Sequence, residues 1–157
     1  MNTVDPIRDI EEIKKMKSCL LNFSYRDYLV FLLGINTGLR ISDLLNLKVA
    51  DVKNKNQIII REKKTGKEKK FTLNDAVREE IDKFIESKSG DEFVFQSRRN
   101  KANPLDRVRT YLMLNKAAEE AGLKIRIGTH TLRKTFGYHL YQKTKDVALL
   151  QYLFNHK

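Results

Sequence analysis

The segment that most constrains how this chain can fold is Ser24-Tyr-Arg-Asp-Tyr-Leu-Val-Phe-Leu-Leu-Gly-Ile-Asn-Thr-Gly38. Ser24 is a helix-capping residue, because its hydroxyl can accept from the unpaired amides of the first turn. From Tyr25 to Ile35 the apolar residues do not keep to one stripe but run nearly all round the helix. A helix of that kind has to be covered on every side, so it is central. Gly38 ends it, and the other elements must pack around this rod.

Those other elements are mostly helical. Asp5-Pro6 reads as a cap followed by proline at the first helical position, opening a helix with Ile7, Ile10, Ile13 and Leu20 on its apolar side. Ser42 and Asp43 start a short third helix carrying Leu44, Leu45 and Leu47. The pattern then turns to strands: Gln57 to Glu62 is rich in β-branched residues, Thr65-Gly66 is a turn signal, and Lys69 to Leu73 returns as a partner. Asn74 caps a helix over Asp75 to Ser87, and Glu92 to Phe95 is a short extended piece. Asn103-Pro104 opens a helix running through Tyr111 and Leu114 to Gly122. Thr129 caps the helix bearing His130 and Arg133, and Lys145-Asp146 begins the last pattern, Val147 to Leu153. The expected fold is α+β, mainly helical, with one small antiparallel hairpin on one side.

Charge names the partner class. The chain has 31 lysines and arginines against 20 acidic residues, a net +11, with a pI near 9.7. Clustered cations release counterions from a phosphate backbone, so nucleic acid is the expected partner. Trp is absent and no apolar run approaches the length of a bilayer span, so membrane is excluded. Cys19 is the only cysteine, which rules out an intrachain disulfide and a thiolate zinc cluster. It sits near Met16 and Leu20 and reads as a small buried hydrophobe. No basic leader precedes a hydrophobic stretch, and the expectation is a soluble, cytoplasmic protein.

The chemistry-bearing residues lie in four places. Arg40 follows the glycine turn in Thr37-Gly-Leu-Arg-Ile-Ser-Asp-Leu-Leu45, where two apolar helices can hold its planar guanidinium. Arg61 to Lys70 carries six basic residues in ten. Most read as a solvated turn, but Lys64 stands at the hairpin tip, where a lysine can hand a proton to a leaving oxygen. In Thr129-His-Thr-Leu-Arg133, Leu132 points to the core while His130 and Arg133 share the other face, so imidazole and guanidinium can meet one anion. His156 follows in Leu153-Phe-Asn-His-Lys157. His139 reads as structural or incidental. The histidines lack metal-ligand spacing, and no glycine-rich nucleotide loop occurs. No cofactor and no small-molecule substrate are expected.

Taken in order, Thr-Gly-Leu-Arg-Ile-Ser-Asp-Leu, Lys-Thr-Gly-Lys, His-Thr-Leu-Arg-Lys-Thr and Leu-Phe-Asn-His-Lys resemble the catalytic domain of tyrosine recombinases, the phage-integrase family. The resemblance implies that Arg40 and Arg133 clamp the non-bridging oxygens of a scissile phosphate. It implies that Lys64 protonates the departing 5′-oxygen, His130 assists proton transfer at the nucleophile, and His156 hydrogen-bonds the phosphate. The implied activity is site-specific recombination or integration of mobile DNA through a 3′-phosphotyrosyl intermediate, without metal, on double-stranded DNA as the partner and by protomers assembled as a tetramer.

Asn155 stands where the family usually has glycine. The family's nucleophile follows the last histidine by about nine positions, a little over two helical turns, which falls past Lys157. Tyr138, Tyr141 and Tyr152 all precede His156 and belong to core-type patterns. Residues 1–157 are therefore expected to be a catalytic domain without the N-terminal DNA-clamping domain or the nucleophile segment, a piece of a longer recombinase or a natural remnant that binds DNA but does not cleave it alone. The rival readings are a non-catalytic DNA-binding regulator, a type IB topoisomerase core, and, on charge alone, an RNA-binding protein.

Overall fold

The computed structural model describes residues 5–61, 65–128 and 130–154. Eight helices and one hairpin follow in the order α1 (Ile10–Phe23), α2 (Tyr25–Thr37), α3 (Ile41–Leu45), α4 (Val49–Val52), β1 (Gln57–Arg61), β2 (Glu68–Thr72), α5 (Asp75–Ile85), α6 (Arg107–Glu120), α7 (Thr131–Thr144) and α8 (Val147–Phe154). The fold is α+β and mainly helical, as expected.

Helix α2 is the rod at the centre. Every residue from Asp27 to Gly34 is buried, and α1, α3, α5 and α7 all pack against it. Its start is set locally, since the Ser24 hydroxyl accepts from the Asp27 amide at 3.1 Å. Helix α5 likewise begins where the Asn74 side chain accepts from the Val77 amide at 2.9 Å. The hairpin is antiparallel, with Gln57 opposite Thr72 and Arg61 opposite Glu68. Ile58 and Phe71 are paired across it on the buried side.

Several boundaries differ from the sequence pattern, and at the starts of α1 and α6 a tertiary contact outcompetes the local signal. Asp5-Pro6 does not open α1. The Ile7 amide donates to Thr135 Oγ1 and the Ile7 carbonyl accepts from His139 Nε2, both at 2.9 Å, pinning this stretch onto α7. The helix starts only where Asp9 can cap it, accepting from the Glu11 amide at 2.9 Å. Ile7 is buried, whereas Ile10 is exposed. Of the two readings open for His139, its bond to the Ile7 carbonyl makes it structural.

Pro104 does not open α6 either. It bridges to Gln96, and the Leu105 amide donates to the Phe95 carbonyl, so the helix waits for the Asp106 cap. Helix α3 begins one residue early, at Ile41, with Arg40 in the capping position. The single-turn α4 has no counterpart in the sequence pattern. Helix α5 ends at Ile85 rather than Ser87, and β2 is shifted by one residue. Cys19 is only half-buried, against the edge of the core.

The hairpin lysines are not all solvated. Alternate residues of a strand share a face, so Lys69 falls on the inward side with Phe71 and is 5% exposed. Near its N-terminal end α2 is joined to α5 by a polar clamp. Tyr25 and Tyr28 donate from their hydroxyls to the two carboxylate oxygens of Glu80 at 3.1 and 3.2 Å. Burial first, then the Glu80 carboxylate, pushes both phenols up to about 12.

A phenol whose pKa is raised on folding stabilises the fold fully below its unfolded value near 10 and stops doing so as pH climbs through about 12. Absorbance titration at 295 nm should therefore show a late-ionising component from Tyr25 and Tyr28. Glu80→Gln should move that component to lower pH, and an unchanged curve would contradict the clamp.

Candidate active site

The C-terminal end of α2 builds a corner from backbone and glycine. Gly38 caps the helix in the left-handed conformation, φ 71°, with its amide donating to the Gly34 carbonyl. Thr37 braces the turn, giving its hydroxyl to the Leu33 carbonyl and accepting from the Leu39 amide. The two glycines also form notches on α2. A Cβ at Gly34 would stand 2.7 Å from Leu132 Cδ1, and one at Gly38 would overlap the Phe136 ring. Because neither Cβ exists, α7 drops onto α2 at Leu132 and Phe136.

That close approach carries Arg133, which lies between them in sequence, to the corner. Its Nη1 donates to the Gly38 carbonyl at 2.8 Å, and the residue is buried. The acceptor is two residues before Arg40, which stands half-buried at the head of α3 with an extended backbone. Arg133 and Arg40 are thus brought to one turn from positions 93 residues apart in sequence. Arg133 is also stacked: its Cζ lies 4.3 Å from the centroid of the Phe154 ring of α8.

His130 is the residue before α7, an exposed N-cap whose carbonyl accepts from the Lys134 amide. Sequence spacing put it on one solvent-side face with Arg133. In the structure it is one turn from Arg133 but outside, while Arg133 is inside. The loop leading to it is held by Asn115, which bonds both the amide and the carbonyl of Ile127 at 2.9 Å. Thr131 then accepts from the Gly128 amide at 2.8 Å. Lys64, His156 and the expected cap Thr129 lie outside the described residues.

A second basic feature lies at the other end of α2, about 18 Å from Gly38 at a rise of ~1.5 Å per residue. It is a groove of about 510 Å³ between the α1–α2 junction, the 97–105 loop and α6. Arg26, Arg98, Arg99, Arg109 and Lys116 line it. Arg26 is fixed there, with Nε and Nη2 on Asp27 Oδ1 at 3.0 and 2.8 Å and Nη1 on the Gln96 carbonyl. Lys116 lies over the Phe23 ring.

Residues 9–157, nearly the whole chain, match the phage integrase family. The chain belongs to that family. The protein named "Probable integrase/recombinase YoeC" of Bacillus subtilis is 46% identical over 99% of this chain and 85% of its own length. Tyrosine recombinase XerA of Pyrococcus horikoshii is 31% identical over 93% of this chain but 51% of its own length, so the chain spans about half of that relative. Among solved structures, XerH site-specific recombinase bound to its palindromic difH substrate superposes with a TM-score of 0.81 at 23% identity, over 99% of this chain and 47% of that one. The fold is that of the tyrosine recombinases, a class of enzymes that break and rejoin DNA.

The groove cations come from three separated segments, and the only sequence signal for them was overall charge. Phe154 carried no signal beyond a helical apolar stripe. Among the described residues, no helix is long and apolar enough to cross a membrane.

Proposed function

We propose that this chain is the catalytic domain of a site-specific DNA recombinase, with Arg40, Lys64, His130, Arg133 and His156 as its reacting set. The observation that carries the reading is the buried Arg133 held on the Gly38 carbonyl, beside the turn that presents Arg40. A guanidinium fixed before substrate arrives, as that of Arg133 is, is preorganised charge, which stabilises the equatorial oxygens of a phosphate under attack without reorganising.

In the proposed reaction a tyrosine oxygen attacks the scissile phosphorus in line and the 5′-oxygen leaves. Lys64 gives that oxygen its proton, and the DNA 3′-phosphate becomes esterified to the tyrosine. His130 assists removal of the tyrosine proton, and His156 hydrogen-bonds the phosphate. Other protomers on the same DNA supply the strands for exchange.

The test is adduct formation. A protein containing this chain and its attacking tyrosine, incubated with a nicked duplex bearing the crossover site, should form a covalent protein–DNA species in excess EDTA. A strict requirement for divalent metal would overturn the reading.

Binding is expected to use the basic groove as well as the corner. Residues 1–157 should bind duplex DNA with little sequence preference, and affinity should fall steeply with salt as condensed counterions are released. Arg109→Glu should weaken binding at low salt and reduce the slope of log K against log salt by about 1 or more. Fluorescence anisotropy on a labelled duplex measures both, and a salt slope identical to the parent's would remove Arg109 from the contact surface.

A further inference from the structure

We propose that Phe154 is a positioning residue for Arg133, holding the plane of its guanidinium so that the arginine meets phosphate in a single orientation. The proposal rests on the reading of Arg133 as a phosphate clamp and adds a part to it that neither the family match nor the motif supplies.

A hydrogen bond in the plane fixes an edge of a guanidinium, and a ring against its face fixes the tilt of that plane. Nη1 on the Gly38 carbonyl at 2.8 Å supplies the first. A ring against that face supplies the second. Phe154 lies there, with its centroid 4.3 Å from Arg133 Cζ, well inside the ~6 Å reach of a cation–π contact. The stack uses none of the five N–H donors, so the in-plane edge that recognises phosphate is not spent on it. Arginine suits this arrangement because its faces are weakly hydrated while its edge makes the hydrogen bonds.

The ring is itself held. It sits against Gly137 of α7, where a Cβ would be 2.9 Å from Cε2 and 3.0 Å from Cζ. The Phe136 ring meets it edge-on with centroids 6.3 Å apart. Phe136 also fills the notch at Gly38. One aromatic pair therefore ties together the glycine turn, the arginine and α8, and the same ring that seats α8 on α7 sets the tilt of Arg133.

The experiment is a double-mutant cycle on residues 1–157 with inorganic phosphate as the probe, read by NMR of the ¹⁵N-labelled guanidinium and Gly38 amide signals. The Arg133 Nε–H proton, identified by its loss in Arg133→Lys, should resonate upfield of other arginines in the parent because of the ring above it. In Phe154→Leu, which keeps an apolar helix-forming side chain, it should return to the ordinary range. Phosphate affinity should fall roughly fivefold, the scale of a partly desolvated cation–π contact. On the Arg133→Lys background, Phe154→Leu should have no further effect on phosphate affinity, because the residue acts through the arginine.

Equal phosphate affinity in parent and Phe154→Leu overturns the proposal. So does an equal loss on both backgrounds, which would mark Phe154 as packing only. If Arg133→Lys alone leaves phosphate affinity unchanged, the clamp reading of Arg133 falls and this inference falls with it, a result separable from the other two.

Discussion

Arg133→Lys is expected to slow strand cleavage by roughly 10²-fold or more, the scale for losing one preorganised charge stabiliser, with duplex affinity reduced far less. Lysine keeps the charge but not the planar fork, and it cannot occupy the Gly38 carbonyl, the Phe154 face and a phosphate edge together. Arg133→Ala should show the same kinetic loss. It should also cost about 1–3 kcal/mol of stability, because the Gly38 carbonyl is left in a buried corner without its donor. Arg40→Ala should match the kinetic loss with a smaller effect on stability, since Arg40 is only half-buried. The measurement is single-turnover cleavage of a nicked duplex carrying the crossover site, in protein that includes the attacking tyrosine, alongside urea melts of each variant. Rates within a few-fold of the parent for both arginines would refute the assignment of this corner as the phosphate clamp.

How far the site was legible depends on how local its causes are. The central helix was legible because its apolar residues go all round, and a Ser24 or Asn74 cap acts over only three residues. The hairpin's turn and pairing were legible for the same reason. Arg40 and Arg133 stood out by motif, but the burial of Arg133 did not. It depends on two missing Cβ atoms on α2, at Gly34 and Gly38, that let another helix descend. No periodicity within α7 encodes that depth, so His130 and Arg133 seemed equivalent when one is outside and one inside.

The start of α1 was misplaced because its decisive bonds run from Ile7 to residues 128 and 132 positions away. Which hairpin lysine turns inward was legible only from strand alternation, because a basic run suggests a surface, while the two-residue spacing of Lys69 from Phe71 assigns it to the inner face. The groove of Arg26, Arg98, Arg99, Arg109 and Lys116 draws on three segments brought together only by folding. Net charge announced that such a surface exists and said nothing of where.

Gly38→Ala is expected to be the most damaging single-methyl change in the described chain, destabilising the fold by about 2–5 kcal/mol. Two costs combine. Holding a side chain at φ 71° costs roughly 1–2 kcal/mol, and the new methyl overlaps the Phe136 ring, an overpacking term of about 1–3 kcal/mol. Gly122→Ala separates the two. Gly122 has nearly the same backbone, φ 76°, but nothing lies within 4 Å of its would-be Cβ, so only the backbone cost of roughly 1–2 kcal/mol applies. The variants should differ in function as well. At Gly38, relief of the clash requires α7 to lift from the turn, which takes Arg133 off the Gly38 carbonyl and Phe136 away from Phe154. Phosphate and duplex affinity should fall together with stability. At Gly122, where the new methyl meets nothing, stability should fall alone. Urea melts at constant m-value, paired with phosphate titration, read both. Equal destabilisation by the two alanines, with phosphate affinity intact in Gly38→Ala, would show that the notch does not set the arginine.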